Sequence, residues 1–293
     1  MKNKIITVYE HQSLTLKNGT INKDQLEALE KFFGSGVPYF SLIHQGIKFC
    51  EYVGVLQVGN TIIEILPKAD KANDDQKWRE ILIEMLKSVN NFDVKAPSNS
   101  NLSLKSNTIL ELYFEIFLNE VEALLHKGLA KKYRTTMGNC KSLKGSLQFA
   151  KQISYNVIHK ERFYVKYNVF DFLHPLNQIL YETLKLIKKI NIQPELQNKI
   201  ESILLNFPEM KNIKITESLF SKIILNRKTI NYSNALSIAK LLLLNYHPDI
   251  TRGRQDVLAL MFDMNVLWEK FIFFSPRATL HPTPSPERNR RLL

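Results

Sequence analysis

Between Lys127 and Lys166 the chain carries ten cationic side chains: Lys127, Lys131, Lys132, Arg134, Lys141, Lys144, Lys151, Lys160, Arg162 and Lys166. Glu161 is the single acid among them, so this stretch supplies most of the +12 net charge of the whole 293-residue chain. Tyr133, Tyr155, Phe163, Tyr164 and Tyr167 are interleaved with the cations. Clustered lysine and arginine with aromatics suits a polyanion such as DNA phosphates, because neutralised phosphates release counterions and the rings offer stacking faces. A solvated face whose aromatics are partly core has the same composition. Lys131, Lys132, Arg134, Lys141, Lys144, Lys151, Arg162 and Lys166 are the candidate contact residues.

Other residues carry weaker chemistry. Gly138-Asn139-Cys140-Lys141-Ser142-Leu143-Lys144-Gly145-Ser146 holds the ingredients of a phosphate loop. Its order is wrong, since Lys144 precedes Gly145 whereas a phosphate loop needs Gly-Lys-Ser/Thr opening a helix. Asp75-Gln76-Lys77 and Asp93-Val94-Lys95 match the D/E-x-K half of a metal-dependent nuclease site, and Pro248-Asp249 resembles its first half. Neither lysine motif lies on an apolar strand, and such short matches arise by chance in a chain this charged. Asp171, Asn177, Asp263, Asn265 and Glu269 read as structural polar groups, Asp171 as a cap or turn residue. His44, His126, His159, His174 and His247 share no spacing suited to a metal or a triad. Cys50 and Cys140 form no C-x-x-C pair and read as reduced thiols. No segment has the length of a signal-peptide core or a membrane span, so the expected setting is cytoplasmic, with no membrane partner.

The elements that must position these residues fall into two parts. Lys4 to Val8 reads as an edge strand, and Asn22 to Phe33 as a helix with Leu26, Leu29 and Phe33 inward and Gly34 as its stop. Tyr39 to Leu66 reads as strands with turns at Gln45-Gly46 and Gly59-Asn60. Trp78, Ile81, Leu82, Met85, Leu86 and Val89 repeat at helical spacing, and residues 96–101 read as a linker. Beyond it, Ile109, Leu112, Tyr113, Ile116, Phe117, Val121, Leu124 and Leu125 predict a long helix ending at Gly128. After a mixed basic section, further helices are predicted at 176–187, 194–206, 215–226, 231–245 and 255–273. The expected fold is α+β. A strand-rich domain spans 1–95, a mainly helical domain spans 102–274, and a disordered Pro/Arg-rich tail spans 275–293.

Several motifs occur in a fixed order. Tyr52-Val53-Gly54-Val55-Leu56-Gln57-Val58-Gly59 leads into Ile63-Glu64-Ile65-Leu66-Pro67-Lys68, followed by Met85-Leu86. Gly128-Leu129, Tyr133 and Leu143-Lys144-Gly145 come next, then Tyr167, Asp171 and Leu176-Asn177-Gln178-Ile179-Leu180. Tyr232, Ala235, Phe262-Asp263-Met264-Asn265 and Trp268-Glu269 close the series. Over about residues 40 to 272 this series resembles the McrC family of 5-methylcytosine restriction components.

The resemblance implies a partner, an McrB-like motor that hydrolyses GTP as a hexameric ring, on which such subunits dock and stimulate hydrolysis. It makes the basic segment a candidate for an acidic channel of that ring as well as for DNA. It also implies a C-terminal PD-(D/E)xK nuclease using Mg²⁺ held by carboxylates. The nineteen residues after Phe274 hold one acid, Glu287, and no lysine. The expectation is therefore a chain truncated before its nuclease, with no catalytic residue of its own. It would bind no cofactor itself, GTP and Mg²⁺ being implied for the partner complex and DNA within it. The alternatives are an incomplete endonuclease subunit and a stand-alone basic nucleic-acid-binding protein.

Overall fold

The computed structural model describes residues 4–67, 75–89, 108–191, 193–248 and 256–274. The expected linker at 96–101 and tail at 275–293 lie outside the described residues, as do Asp93-Val94-Lys95 and Asp249.

The first strands are β1 (Lys4–Tyr9), β2 (Ser13–Thr15), β3 (Phe40–Ile43), β4 (Gly46–Phe49), β5 (Tyr52–Val58) and β6 (Thr61–Leu66). Helix α1 (Lys23–Phe33) falls between β2 and β3. It starts at a reciprocal cap: the Asn22 side chain accepts from the Gln25 N–H, and the Gln25 side chain accepts from the Asn22 N–H. Its inner face is Leu26, Leu29 and Phe32, with Phe33 only partly buried. Helices α2 (Asp75–Val89) and α3 (Ile109–Lys127) follow.

Next come β7 (Lys132–Cys140), β8 (Ser146–Leu147), α4 (Phe149–Asn156) and β9 (Phe163–Asp171). Helices α5 (Pro175–Ile190), α6 (Pro194–Asn206), α7 (Glu217–Ser221) and α8 (Ser233–Leu244) complete the helical layer. The helix expected over 215–226 is thus a single short turn of helix, capped by the Thr216 side chain. The described chain ends with β10 (Tyr246–His247), β11 (Val257–Asp263) and α9 (Met264–Phe274).

Five strands make the main sheet, in the order β1-β6-β5-β11-β10. β1 runs parallel to β6, and the other pairs are antiparallel. β2-β4-β3 forms a small second sheet. The two faces of the main sheet serve two cores. Val53, Val55, Ile62, Leu66, Leu258 and Leu260 pack with the helices α2, α3, α5, α6 and α8. Leu56, Val58, Ile63, Ile65, Val257 and Ala259 pack with α1 and the small sheet. The alternation follows from the two-residue period of a strand. Because both faces are covered, β5 and β6 read as almost unbroken apolar runs.

The helix expected over 255–273 is corrected. Its first half, Val257–Asp263, is strand β11, inserted between β5 and β10 with Leu260 opposite Val55. Val-Leu-Ala-Leu-Met-Phe has no alternation to reveal a strand, because it too is buried on both faces. The strand-rich sheet is therefore not confined to residues 1–95; its last two strands come from the segment expected to be mainly helical. The α+β class stands.

Candidate partner-binding surface

Strands β7 and β9 pair along their whole length, from Lys132 opposite Asp171 to Cys140 opposite Phe163. β8 joins the other edge of β9 through Ser146–Lys166 and Leu147–Val165. With α4 they form a basic finger. Among the described residues its elements pack on one another, with only isolated contacts to the rest of the molecule. From Lys132 to Phe170 only Val165 and Asn156 are buried. The finger is therefore held by its ladder and by side-chain amides rather than by an apolar core. Asn156 Nδ2 donates to Asn139 Oδ1 at 2.7 Å, to Gln152 Oε1 at 3.0 Å and to the Arg162 carbonyl at 3.2 Å. Tyr155 stacks on Tyr164, and Tyr133 lies against Phe170.

The eight candidate cations all belong to this finger or its root. Lys131 and Lys132 stand at the base, Arg134 in β7, Lys141 and Lys144 in the β7–β8 connection, Lys151 on α4, Arg162 just before β9, and Lys166 in β9. They do not share one face. The register puts Lys132 and Arg134 with Val165 and Tyr167, and Lys166 with Tyr133, Met137 and Phe170 on the opposite side. All but Arg134 are exposed.

Their partners differ too. Arg134 Nε donates to Asp171 Oδ2 at 2.7 Å, and this bond holds the Asp171 carboxyl below its usual range. Arg162 pairs with Glu161, the lone acid. Lys144 lies over the Tyr167 ring at 3.9 Å, Lys131 over Phe172 at 4.5 Å and Lys151 over Tyr164 at 5.4 Å. Among the described residues, Lys132, Lys141 and Lys166 have neither a carboxylate nor an aromatic ring as partner, which leaves them the freest charges.

The finger also exposes apolar surface that the sequence reading did not single out. Phe149, Ile153 and Val157 recur every fourth residue along α4 and its end, yet are 72%, 68% and 64% exposed, and Ile158 is 87% exposed. Spacing of this kind ordinarily marks a face turned to a core. Here the spacing was present as a signal, but it marks a ridge facing solvent. An apolar ridge framed by charge is the usual mark of a partner site.

The remaining sequence candidates have structural placements. Gly138 to Ser146 joins two strands and does not open a helix, so it is not a phosphate loop. Gly145 is needed there because its φ is +67° and a Cβ would sit 2.2 Å from the Lys166 carbonyl. Asp75 opens α2 and accepts a hydrogen bond from the Tyr9 hydroxyl. Asp263 ends β11, where its Oδ1 accepts from the N–H groups of Asn265 and Val266 and caps α9. Cys50 and Cys140 are free thiols. Among the described residues no three His, Cys, Asp or Glu side chains gather where a metal could be held, and no helix is long and apolar enough to cross a membrane.

Where β7 and β9 meet the helical layer, two side chains from distant elements converge. Asn177, fully buried on α5, donates from Nδ2 to the Ala130 carbonyl at 2.8 Å and to the Phe172 carbonyl at 2.9 Å. Tyr232, just before α8, donates its hydroxyl to Asn177 Oδ1 at 2.9 Å and accepts from the Ala130 N–H at 2.8 Å. Burial raises the Tyr232 phenol above its ordinary value, so it is a neutral donor here.

The profile of the family described as McrBC 5-methylcytosine restriction system component matches residues 47–286. That span runs past Glu269, where the motif series ends. Two solved structures share the fold. One is the cryo-EM structure of the Thermococcus gammatolerans McrBC complex, at 20% identity and a TM-score of 0.69, covering 92% of this chain and 86% of that one. The other is a half-complex from a tetradecameric assembly of Thermococcus gammatolerans McrB AAA+ hexamers with bound McrC. It aligns at 21% identity and a TM-score of 0.67, covering 92% of this chain and 69% of that one. No curated protein matches the chain in sequence.

Proposed function

Because this chain belongs to the McrBC family of 5-methylcytosine restriction system components, we propose that it is the McrC-like subunit that docks on an McrB-like GTPase ring and stimulates its turnover through the basic finger. The observation that carries this reading is the finger itself: a projecting sheet with cations on both faces and an apolar ridge on α4. Charge distributed around a projection suits an acidic channel that surrounds it. The second structural neighbour is, by its description, an assembly of McrB hexamers with McrC bound. GTP and Mg²⁺ are assigned to the motor, and DNA to the assembled complex. The described residues are assigned docking and stimulation rather than phosphodiester cleavage.

The test compares the chain with a version in which residues 133–170 are replaced by a Gly-Gly turn. Lys132 and Asp171 are paired neighbours, so the ends meet without strain. The intact chain should bind the cognate motor and raise its GTP turnover, with affinity falling as salt rises. The fingerless chain should do neither while keeping its fold by circular dichroism. An intact chain that neither binds nor stimulates, or a fingerless chain that does both equally well, overturns the reading.

A further inference from the structure

We infer that Asn177 and Tyr232 are positioning residues that lock the finger to the helical body and so transmit its engagement to the rest of the molecule; this rests on the docking reading for what the finger engages. Ala130 lies two residues before β7 and Phe172 directly follows β9, so they are the entry and exit of the finger. Asn177 binds both, and Tyr232 binds Ala130 and braces Asn177. Every polar group in the cluster is satisfied: both amide hydrogens and the oxygen of Asn177, the donor and an acceptor position of Tyr232, and both backbone groups of Ala130. The two side chains come from α5 and the turn before α8, which pack against each other in the main core.

The geometry separates orientation from folding. The finger's own ladder, its amide cluster and the Arg134–Asp171 bridge do not depend on Tyr232. Tyr232→Phe keeps the ring, which is 2% exposed and part of the main core. Removing the hydroxyl therefore opens the root of the finger and leaves both folded parts in place. It strands the Ala130 N–H and the Asn177 oxygen without partners, which a sheet root tolerates by swinging toward water. A finger that swings still presents its whole binding surface, but it no longer reports its position to the body.

The test uses the full chain with spin labels at Lys160→Cys on the finger and Lys222→Cys on the body, in a Cys50→Ser, Cys140→Ser background. The distance distribution should be narrow with the clamp intact and should broaden in Tyr232→Phe. Asn177→Ala, which opens the same cluster from the α5 side, should reproduce the change. Amide exchange in α3 should stay slow in both variants, which reports that the body remains folded. In the second arm, the same variants are titrated with the cognate motor. The dissociation constant should be unchanged, while GTP turnover at saturation falls about fivefold, the scale of one lost buried hydrogen bond. A merely destabilised chain would lose binding and turnover together.

An unchanged distance distribution overturns the clamp. A broadened distribution with full turnover at saturation overturns the transmission. Failure of the unmodified chain to bind the motor counts against the docking reading alone, because the distance arm still decides whether the clamp exists.

Discussion

Glu64 stands in the middle of β6 with its side chain fully buried, on the sheet face that meets α2 and α3. Its Oε2 accepts from Arg79 Nη2 at 2.6 Å and Nε at 2.8 Å, and its Oε1 accepts from the Ile109 N–H at 2.8 Å. One carboxylate thus ties α2 to the sheet and caps the first turn of α3. Burial raises its pKa, against the lowering effects of Arg79 and the Ile109 N–H. Arg79→Met leaves the carboxylate buried without its cation and should cost about 3 kcal/mol at neutral pH, measured by urea unfolding. The loss also removes a lowering influence, so the pKa of Glu64 in the folded variant rises further. A carboxyl whose folded pKa exceeds its unfolded value contributes stability that is complete below the unfolded value and lost as pH rises through the folded one. The deficit of Arg79→Met should therefore be smaller at about pH 5 than at about pH 8. A deficit independent of pH would mean that Glu64 does not take up the proton. The same contacts explain why a glutamate sits inside the otherwise apolar run Ile62-Ile63-Glu64-Ile65-Leu66.

At the scale of elements, Gly54 decides how β5 accepts β11. Its φ is +135°, and a Cβ there would sit 2.1 Å from the Leu260 carbonyl. Gly54→Ala should destabilise the protein by about 3 kcal/mol or more, since it combines a disfavoured backbone with a backbone clash. Amide exchange across 257–263 should rise first, while α3 stays protected. Equal acceleration everywhere would argue against a local role. The glycine was legible as a motif residue, but its partner was not. β11 reads as helix because burial on both faces erases the two-residue period, and Leu, Ala and Met favour helices in isolation. β1, β5, β6, α1, α2 and α3 were legible because turns, a cap and helical spacing bound them. The finger was legible as charge and not as a shape. β7 offers no apolar alternation, and Val165 alone is an apolar anchor. The clamp was invisible for another reason: Asn177 and Tyr232 are 55 residues apart and meet only through tertiary packing.

At the scale of the whole molecule, the main sheet is built from both ends of the described chain. β5 ends at Val58 and β11 begins at Val257, so about 200 residues separate two strands that lie side by side. Loop closure over such a length is slow to nucleate. During synthesis at ~5–20 residues per second, the far edge of β5 waits roughly 10–40 s for its neighbour. Until β11 is in place the edge of β5 that pairs with it is open, and an open apolar strand edge invites pairing with another chain. A fragment ending before residue 256 should accordingly self-associate, by light scattering, where the whole chain does not; a monodisperse fragment would count against this. The late strand makes the sheet a checkpoint on the ribosome: β1, β6 and β5 can pair early, but β5 keeps one edge open until the chain that follows it is made.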